Sequence, residues 1–200
     1  MSALSQAYKG TKDESEKAKL LQEIRDAVEG LKECQDAYAD MKPASAGYVS
    51  ALRESILDKI DGSGGSDENV IVPWYNLHKV LAGLIDIYTF ADDKELAEEA
   101  LGIAENFGEY VFNRCSRLTD NQVMLRTEYG GMNESLSRLY EITGNRDYLE
   151  TAQMFDNGAL FQGLAHGRDT ITGIHANQHI PQTIGATEEF KATGDPHYHH

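Results

Sequence analysis

Three short segments carry polar and aromatic side chains that the packing of helices does not explain. They are VPWYNLHK (72–79), RTEYGGMNE (126–134) and GIHANQHIPQ (173–182). Each segment lies where a long connection enters a predicted helix, and in a ring of helical hairpins such entries face the same end. Imidazoles and amides beside aromatic rings are typical of surfaces that bind sugar hydroxyls and sugar C–H faces. The three segments therefore predict one carbohydrate-binding surface.

The first segment pairs an aromatic ring with an imidazole on one helix face. Trp74 and His78 are four residues apart, a spacing that places both side chains on the same side of a helix. The ring would pack on the apolar face of a sugar, and a neutral imidazole both donates and accepts hydrogen bonds. The alternative is structural, with Trp74 in the core and His78 satisfied by the protein.

The second segment places two glycines where a helix begins. Gly130 and Gly131 allow positive φ angles and close backbone contacts, and we expect them to bring the backbone close to a ligand. Glu128 and Glu134 flank them, and glycoside hydrolysis commonly uses a pair of carboxylates. Glu134 also suits the first turn of a helix, where a carboxylate caps N–H groups and complements the helix dipole. Both interpretations of Glu134 remain open.

The third segment spaces two histidines as a helical metal site would. His175 and His179 are four residues apart, but the glutamate of an HExxH motif is missing. Pro181 also predicts that the helix starts only after this pair. Asn177 and Gln178 instead favour recognition of hydroxyl groups. The segment therefore predicts sugar contacts and no metal ion.

The two cysteines do not form a recognisable metal or redox motif. Cys34 and Cys115 lie far apart, each in a helical pattern and without a CxxC spacing. We expect two thiols, buried or half-buried, because two cysteines alone cannot build a structural zinc site.

The elements that position these segments all have the periodicity of amphipathic helices. Apolar residues recur every three or four positions, and no segment favours a strand. The connections 61–69 and 163–182 are rich in glycine and polar residues and predict loops. The predicted helices cover residues 14–38, 74–90, 93–115, 132–143, 146–155 and 181–193.

A weak internal repeat indicates how these helices are arranged. Each unit ends a helix on an aromatic residue, makes a short turn, often Gly-Asx, and opens the next helix with charges. The last three units are about 50 residues apart, which is typical of stacked helical hairpins and of an α/α toroid. The units begin at Tyr8, Tyr88, Tyr140 and Phe190.

The composition of the chain limits its possible partners. The net charge of −15 disfavours a nucleic-acid partner, which needs clustered Lys and Arg. No apolar run approaches the length of a membrane span, and no signal-peptide pattern is visible, so the compartment stays open.

The last repeat stops at HYHH and the first starts in mid-helix. Residues 1–200 are therefore expected to be a single fragment of a larger domain.

The same three segments resemble one known family. VPWYNLHKVLAGLIDIY, MLRTEYGGMNESLSRLYEITGNRDYLETA and GIHANQHIPQTIGATEEFKATGD are similar to the N-terminal part of the catalytic domain of glycoside hydrolase family 127, the β-L-arabinofuranosidase family. The resemblance implies an (α/α)6 barrel followed by β-domains, and retaining hydrolysis by a cysteine nucleophile on a zinc site of Glu and Cys ligands. It places that cysteine, the zinc ligands and the acid/base glutamate beyond His200. No catalytic residue or cofactor is therefore expected in this segment.

What the resemblance carries over to this chain is a sugar-binding wall. His78 and His175 match pocket histidines of the family, and Tyr129 stands where many relatives have histidine. Two other functions remain open: a non-enzymatic helical-repeat binding module, or another toroid enzyme such as an unsaturated-uronyl hydrolase with Glu128 as acid/base. The predicted sugar contacts are His78, Tyr129, Asn133 and His175, with Trp74, Glu128 and Asn177 near them.

Overall fold

The computed structural model describes residues 1–65 and 72–199, and in those ranges the chain is helical without strands. This confirms the all-α class, while the (α/α)6 arrangement stays a prediction. Residues 66–69 of the predicted 61–69 linker, and His200 of HYHH, lie outside the described residues. The α-helices are α1 (Ser2–Gly10), α2 (Glu14–Met41), α3 (Ser55–Asp61), α4 (Pro73–Phe90), α5 (Lys94–Cys115), α6 (Met132–Thr143), α7 (Arg146–Met154), α8 (Gly158–Ala165) and α9 (Ala176–Thr193). Short 3₁₀ helices cover Pro43–Ser45, Asn121–Arg126 and Pro196–Tyr198.

The start of α9 is the clearest departure from the predicted helices. It begins at Ala176, and Pro181 lies inside it rather than at its first turn. His175 is the N-cap residue, and its carbonyl accepts a hydrogen bond of 2.8 Å from the Gln178 N–H. Proline removes the N–H that would bond the carbonyl of Asn177, but Asn177 is exposed, so water can satisfy that carbonyl. The helix therefore tolerates the proline.

Residues 1–50 and 79–110 form the first of two compact units. α1 and α2 pack against each other there. A buried side chain, Gln35, joins the parts of this unit, because its Nε2 donates to the carbonyls of Gly47 at 2.8 Å and Ile103 at 3.2 Å. Its Oε1 accepts from Asn106 Nδ2 at 3.1 Å. This unit contains none of the predicted sugar contacts.

Residues 51–78 and 111–200 form the second unit, in which α6 packs against both α7 and α9. The repeat turn predicted from the sequence is confirmed here twice. Gly144 and Gly194 are left-handed at the ends of α6 and α9, with φ of 73° and 69°. Asn145 and Asp195 follow, and each side chain caps the next helix. Among the described residues, no helix is long and apolar enough to cross a membrane.

Candidate functional site

The second unit contains all seven predicted sugar contacts and brings their three segments together. Tyr129 Oη donates a hydrogen bond of 3.1 Å to the carbonyl of Gln178. Gln182 Nε2 donates to the carbonyl of Gly130 at 3.2 Å. The second segment thus lies directly against the third.

The two glycines that open α6 make room for side chains of the protein itself. Gly130 has a φ of 65°, and a Cβ placed on it would lie 2.3 Å from His78 Nδ1 and 2.9 Å from Tyr75 Cδ2. A Cβ on Gly131 would lie 2.9 Å from Pro181 Cβ. In the structure these glycines let the three segments approach one another. Their approach to a ligand stays a prediction.

Trp74 and His78 lie in the interior. Trp74 is 2% exposed, and its ring meets Phe155 edge-on with 5.0 Å between ring centroids. His78 is 1% exposed, and its ring lies edge-on to Tyr75, also at 5.0 Å. The position of Trp74 agrees with the structural alternative, in which its ring packs in the core. The Trp74 ring does not offer an open face on which a sugar could stack.

Tyr129 is held by hydrogen bonds on both sides of its hydroxyl. Besides donating to Gln178, Oη accepts a hydrogen bond of 2.8 Å from Asn157 Nδ2. Burial raises the pKa of the phenol, and the hydrogen bond from Asn157 partly lowers it. The side chain is only 4% exposed, and both hydrogen-bond partners of its hydroxyl belong to the protein.

Asn133 is fully buried and connects α6 to its surroundings. Its Nδ2 donates to Asp156 Oδ1 at 3.3 Å and to the carbonyl of Gln182 at 3.4 Å. A Cβ on Gly185 would lie 2.2 Å from the Asn133 Cγ, so α9 passes directly over this amide. The position makes Asn133 a contact between helices in this structure.

The remaining predicted contacts lie nearer the surface. His175 and Asn177 are exposed at the start of α9, and Glu128 is half-buried. Glu134 forms an ion pair of 3.4 Å with Arg138, one helical turn later. Glu134 also lies in the first turn of α6, where its charge complements the helix dipole, but the residue at the N-cap of this helix provides no side-chain hydrogen bond.

Gln182 is the residue that sequence reasoning underestimated. Its side chain is buried, and its Nε2 bonds the carbonyls of Gly130 and of Phe155, the latter at 3.1 Å. Its Oε1 accepts from the backbone N–H of Asn157 at 2.9 Å, and Asn157 in turn holds Tyr129. The Asp-Asn-Gly sequence at 156–158 was the available signal, because it predicts a turn and a helix cap.

An open depression of about 460 Å³ lies elsewhere in the second unit. Phe161, Thr183 and Tyr198 are among the residues that line it, and none of the seven predicted contacts does. The depression and the candidate sugar surface are therefore lined by different residues.

Comparison with known protein families shows to which family the chain belongs. The family model described as "Beta-L-arabinofuranosidase, GH127 catalytic domain" matches residues 1–200. The chain belongs to glycoside hydrolase family 127. The resemblance of the three segments is thereby confirmed, and the family implies a carbohydrate substrate. No curated protein matches the chain.

The zinc centre that family 127 implies does not fit the residues that the structure describes. Cys34 is exposed, whereas Cys115 is buried and its Sγ lies 3.2 Å from Met124 Sδ. Burial raises the pKa of Cys115 to about 12, so it stays a thiol and not the thiolate that zinc binds. Within residues 1–65 and 72–199, no group of three His, Cys, Asp or Glu could hold a metal ion.

Proposed function

We propose that this family 127 chain supplies the sugar-binding wall of a retaining β-L-arabinofuranosidase-like enzyme that acts on plant-type glycans. The match of the catalytic-domain family model over residues 1–200 is the observation that carries the proposal. The contact between the three polar segments supports it, because it gathers imidazole, phenol and amide groups in one unit. A match to a catalytic domain disfavours a non-enzymatic repeat module.

The proposed wall has an outer and an inner layer. His175, Asn177 and Glu128 are the accessible groups, and we assign them hydrogen bonds to sugar hydroxyls. The inner layer consists of buried residues that fix the positions of the outer groups: Trp74, His78, Tyr129 and Asn133. Asn157 and Gln178 hold the Tyr129 hydroxyl in this layer.

The chemical step is proposed to depend on residues beyond His200. Neither cysteine described here combines an accessible position with a metal-binding neighbourhood. A buried thiol whose pKa is about 12 is a poor nucleophile, because the thiolate is the reactive form. We therefore propose that the 200-residue chain binds the sugar and does not hydrolyse it.

A chromogenic assay tests this division of roles. The 200-residue chain, mixed with a nitrophenyl β-L-arabinofuranoside, is expected to release no nitrophenolate above the buffer rate. His166→Ala serves as the control variant, since His166 is exposed and its ring contacts the Gln162 carbonyl, one turn earlier in α8. Hydrolysis that His175→Ala lowers and His166→Ala does not would overturn the proposal that this chain lacks the catalytic groups.

A further inference from the structure

Two carboxyl groups meet in the interior of the second unit. Glu189 lies on α9 and is fully buried. Asp156 lies in the connection between α7 and α8, and its carboxyl is close enough to that of Glu189 for each to shift the pKa of the other. Neither residue belongs to the proposed sugar contacts.

The hydrogen bonds around the pair go to Asp156, and the nearby Asn133 also lowers the pKa of Glu189. Asp156 Oδ1 accepts from Asn133 Nδ2 at 3.3 Å, and Oδ2 accepts from Tyr198 Oη at 2.8 Å. The second hydrogen of Asn133 Nδ2 is directed at the carbonyl of Gln182. In the part of the chain that the structure describes, no N–H or O–H group donates to either oxygen of Glu189.

A buried carboxylate without a donor or a cation is strongly disfavoured, and two facing carboxylates repel each other. Two carboxyl groups attract only when one of them carries a proton, as in the paired carboxyls of acid proteases. We propose that Asp156 and Glu189 share one proton at neutral pH, with Glu189 as the donor, and that this proton makes the docking of α9 sensitive to pH.

Burial, charge and most of the groups facing the pair favour this assignment, and only Asn133 also lowers the pKa of Glu189 among the causes that act on it. Burial is the largest cause that raises the pKa of both carboxyls, and the Asp156 charge further raises that of Glu189. Hydrogen bonds from Tyr198 and Asn133, and the nearby His197, lower the pKa of Asp156, so the proton resides on Glu189. Lys191, the nearest cation on α9, is instead bound to Glu188 and Glu141.

The direction in which pH changes the stability follows from how tightly the folded and the unfolded chain bind this proton. The folded chain holds this proton more tightly than the unfolded chain, whose carboxyls titrate near 3.8 for Asp and 4.5 for Glu. The folded state is therefore favoured most at pH values below 3.8 to 4.5. Its advantage falls as the pH rises above that range towards the raised pKa of Glu189.

The test is urea unfolding of the 200-residue chain at pH 5 and pH 8. Glu189→Gln keeps the shape of a protonated glutamate and cannot ionise. We expect its folding equilibrium constant to exceed that of the parent chain by about tenfold or more at pH 8, and by much less at pH 5. Glu188→Gln is the matched control, because Glu188 is the adjacent carboxylate and pairs with Lys191. It should change the constant equally at both pH values.

A Glu189→Gln variant that lowers the equilibrium constant by the same factor at both pH values would overturn the proposal. A second measurement does not depend on the variant being stable. In the parent chain with ¹³C-labelled glutamate, the Glu189 carboxyl resonance should keep the shift of a protonated acid at pH 7. A Glu189 resonance that titrates with the exposed glutamates would contradict the shared proton.

Discussion

Replacing Gly130 with alanine is expected to lower the free energy of unfolding by about 2–5 kcal/mol. A residue with a side chain pays about 1–2 kcal/mol at a φ of 65°, and overpacking a dense interior adds about 1–3 kcal/mol. The added methyl group would lie 2.3 Å from His78 Nδ1, so the imidazole or the backbone must move. Urea unfolding followed by circular dichroism measures the loss.

Gly144→Ala is the matched control for that variant. Gly144 has a φ of 73°, but a Cβ placed on it meets nothing within 4 Å. Alanine at this position meets the same backbone strain without a steric clash, and it should cost only about 1–2 kcal/mol. If Gly130→Ala and Gly144→Ala lose the same stability, the contact with His78 is not what requires glycine at the start of α6.

Arg114→Met is expected to remove about 3–5 kcal/mol from the free energy of unfolding, the usual loss when one partner of a buried charge pair is deleted. Arg114, at the end of α5, has an 11% exposed side chain. Its guanidinium lies 2.6 Å from Asp61, 2.8 Å from Asp58 and 3.5 Å from Glu54. Methionine would leave three carboxylates close together without the cation they share. The same unfolding experiment reports the loss.

Lys9→Met provides the comparison at an exposed ion pair. Lys9 lies 2.9 Å from Asp92, but the side chains are 53% and 50% exposed. Solvent screens such a pair, so its loss should change stability far less than the loss of Arg114 does. An Arg114→Met variant no more destabilised than Lys9→Met would show that the carboxylates near Arg114 are held by other contacts.

The helices were predictable where local signals agreed with the packing. α6 was predicted with the bounds that the structure gives, because glycines precede it and Gly144 ends it. The predicted start of α9 was wrong. Proline favours the first turn of a helix, but Pro181 marks that turn only when the preceding residues do not already form a helix. In the structure the helix begins about one turn earlier, directly after His175. The His175 carbonyl accepts a hydrogen bond from the Gln178 N–H, which the sequence pattern does not predict.

The sequence predicted which segments come together at the candidate site, but not which of their side chains are exposed and which are buried. Spacing shows that Trp74 and His78 share a helix face, but not that Phe155 and Gly130 cover that face. The carboxyl pair of Asp156 and Glu189 was missed for the same reason. Its members are 33 positions apart, as their residue numbers show, and meet only because α9 packs on α6. Contacts of that kind depend on tertiary packing.

Binding of methyl β-L-arabinofuranoside to the 200-residue chain is the measurement that tests the central claim most directly. In a ¹H–¹³C NMR titration with labelled histidine, the His175 ring signals should shift with the sugar, and those of the exposed His166 should not. His175→Ala should weaken binding by about threefold to tenfold, the usual value of one lost hydrogen bond, and His166→Ala should leave it unchanged. A chain that shows no sugar-dependent shift at His175, or whose affinity survives His175→Ala, would contradict the assignment of this segment as a sugar-binding wall.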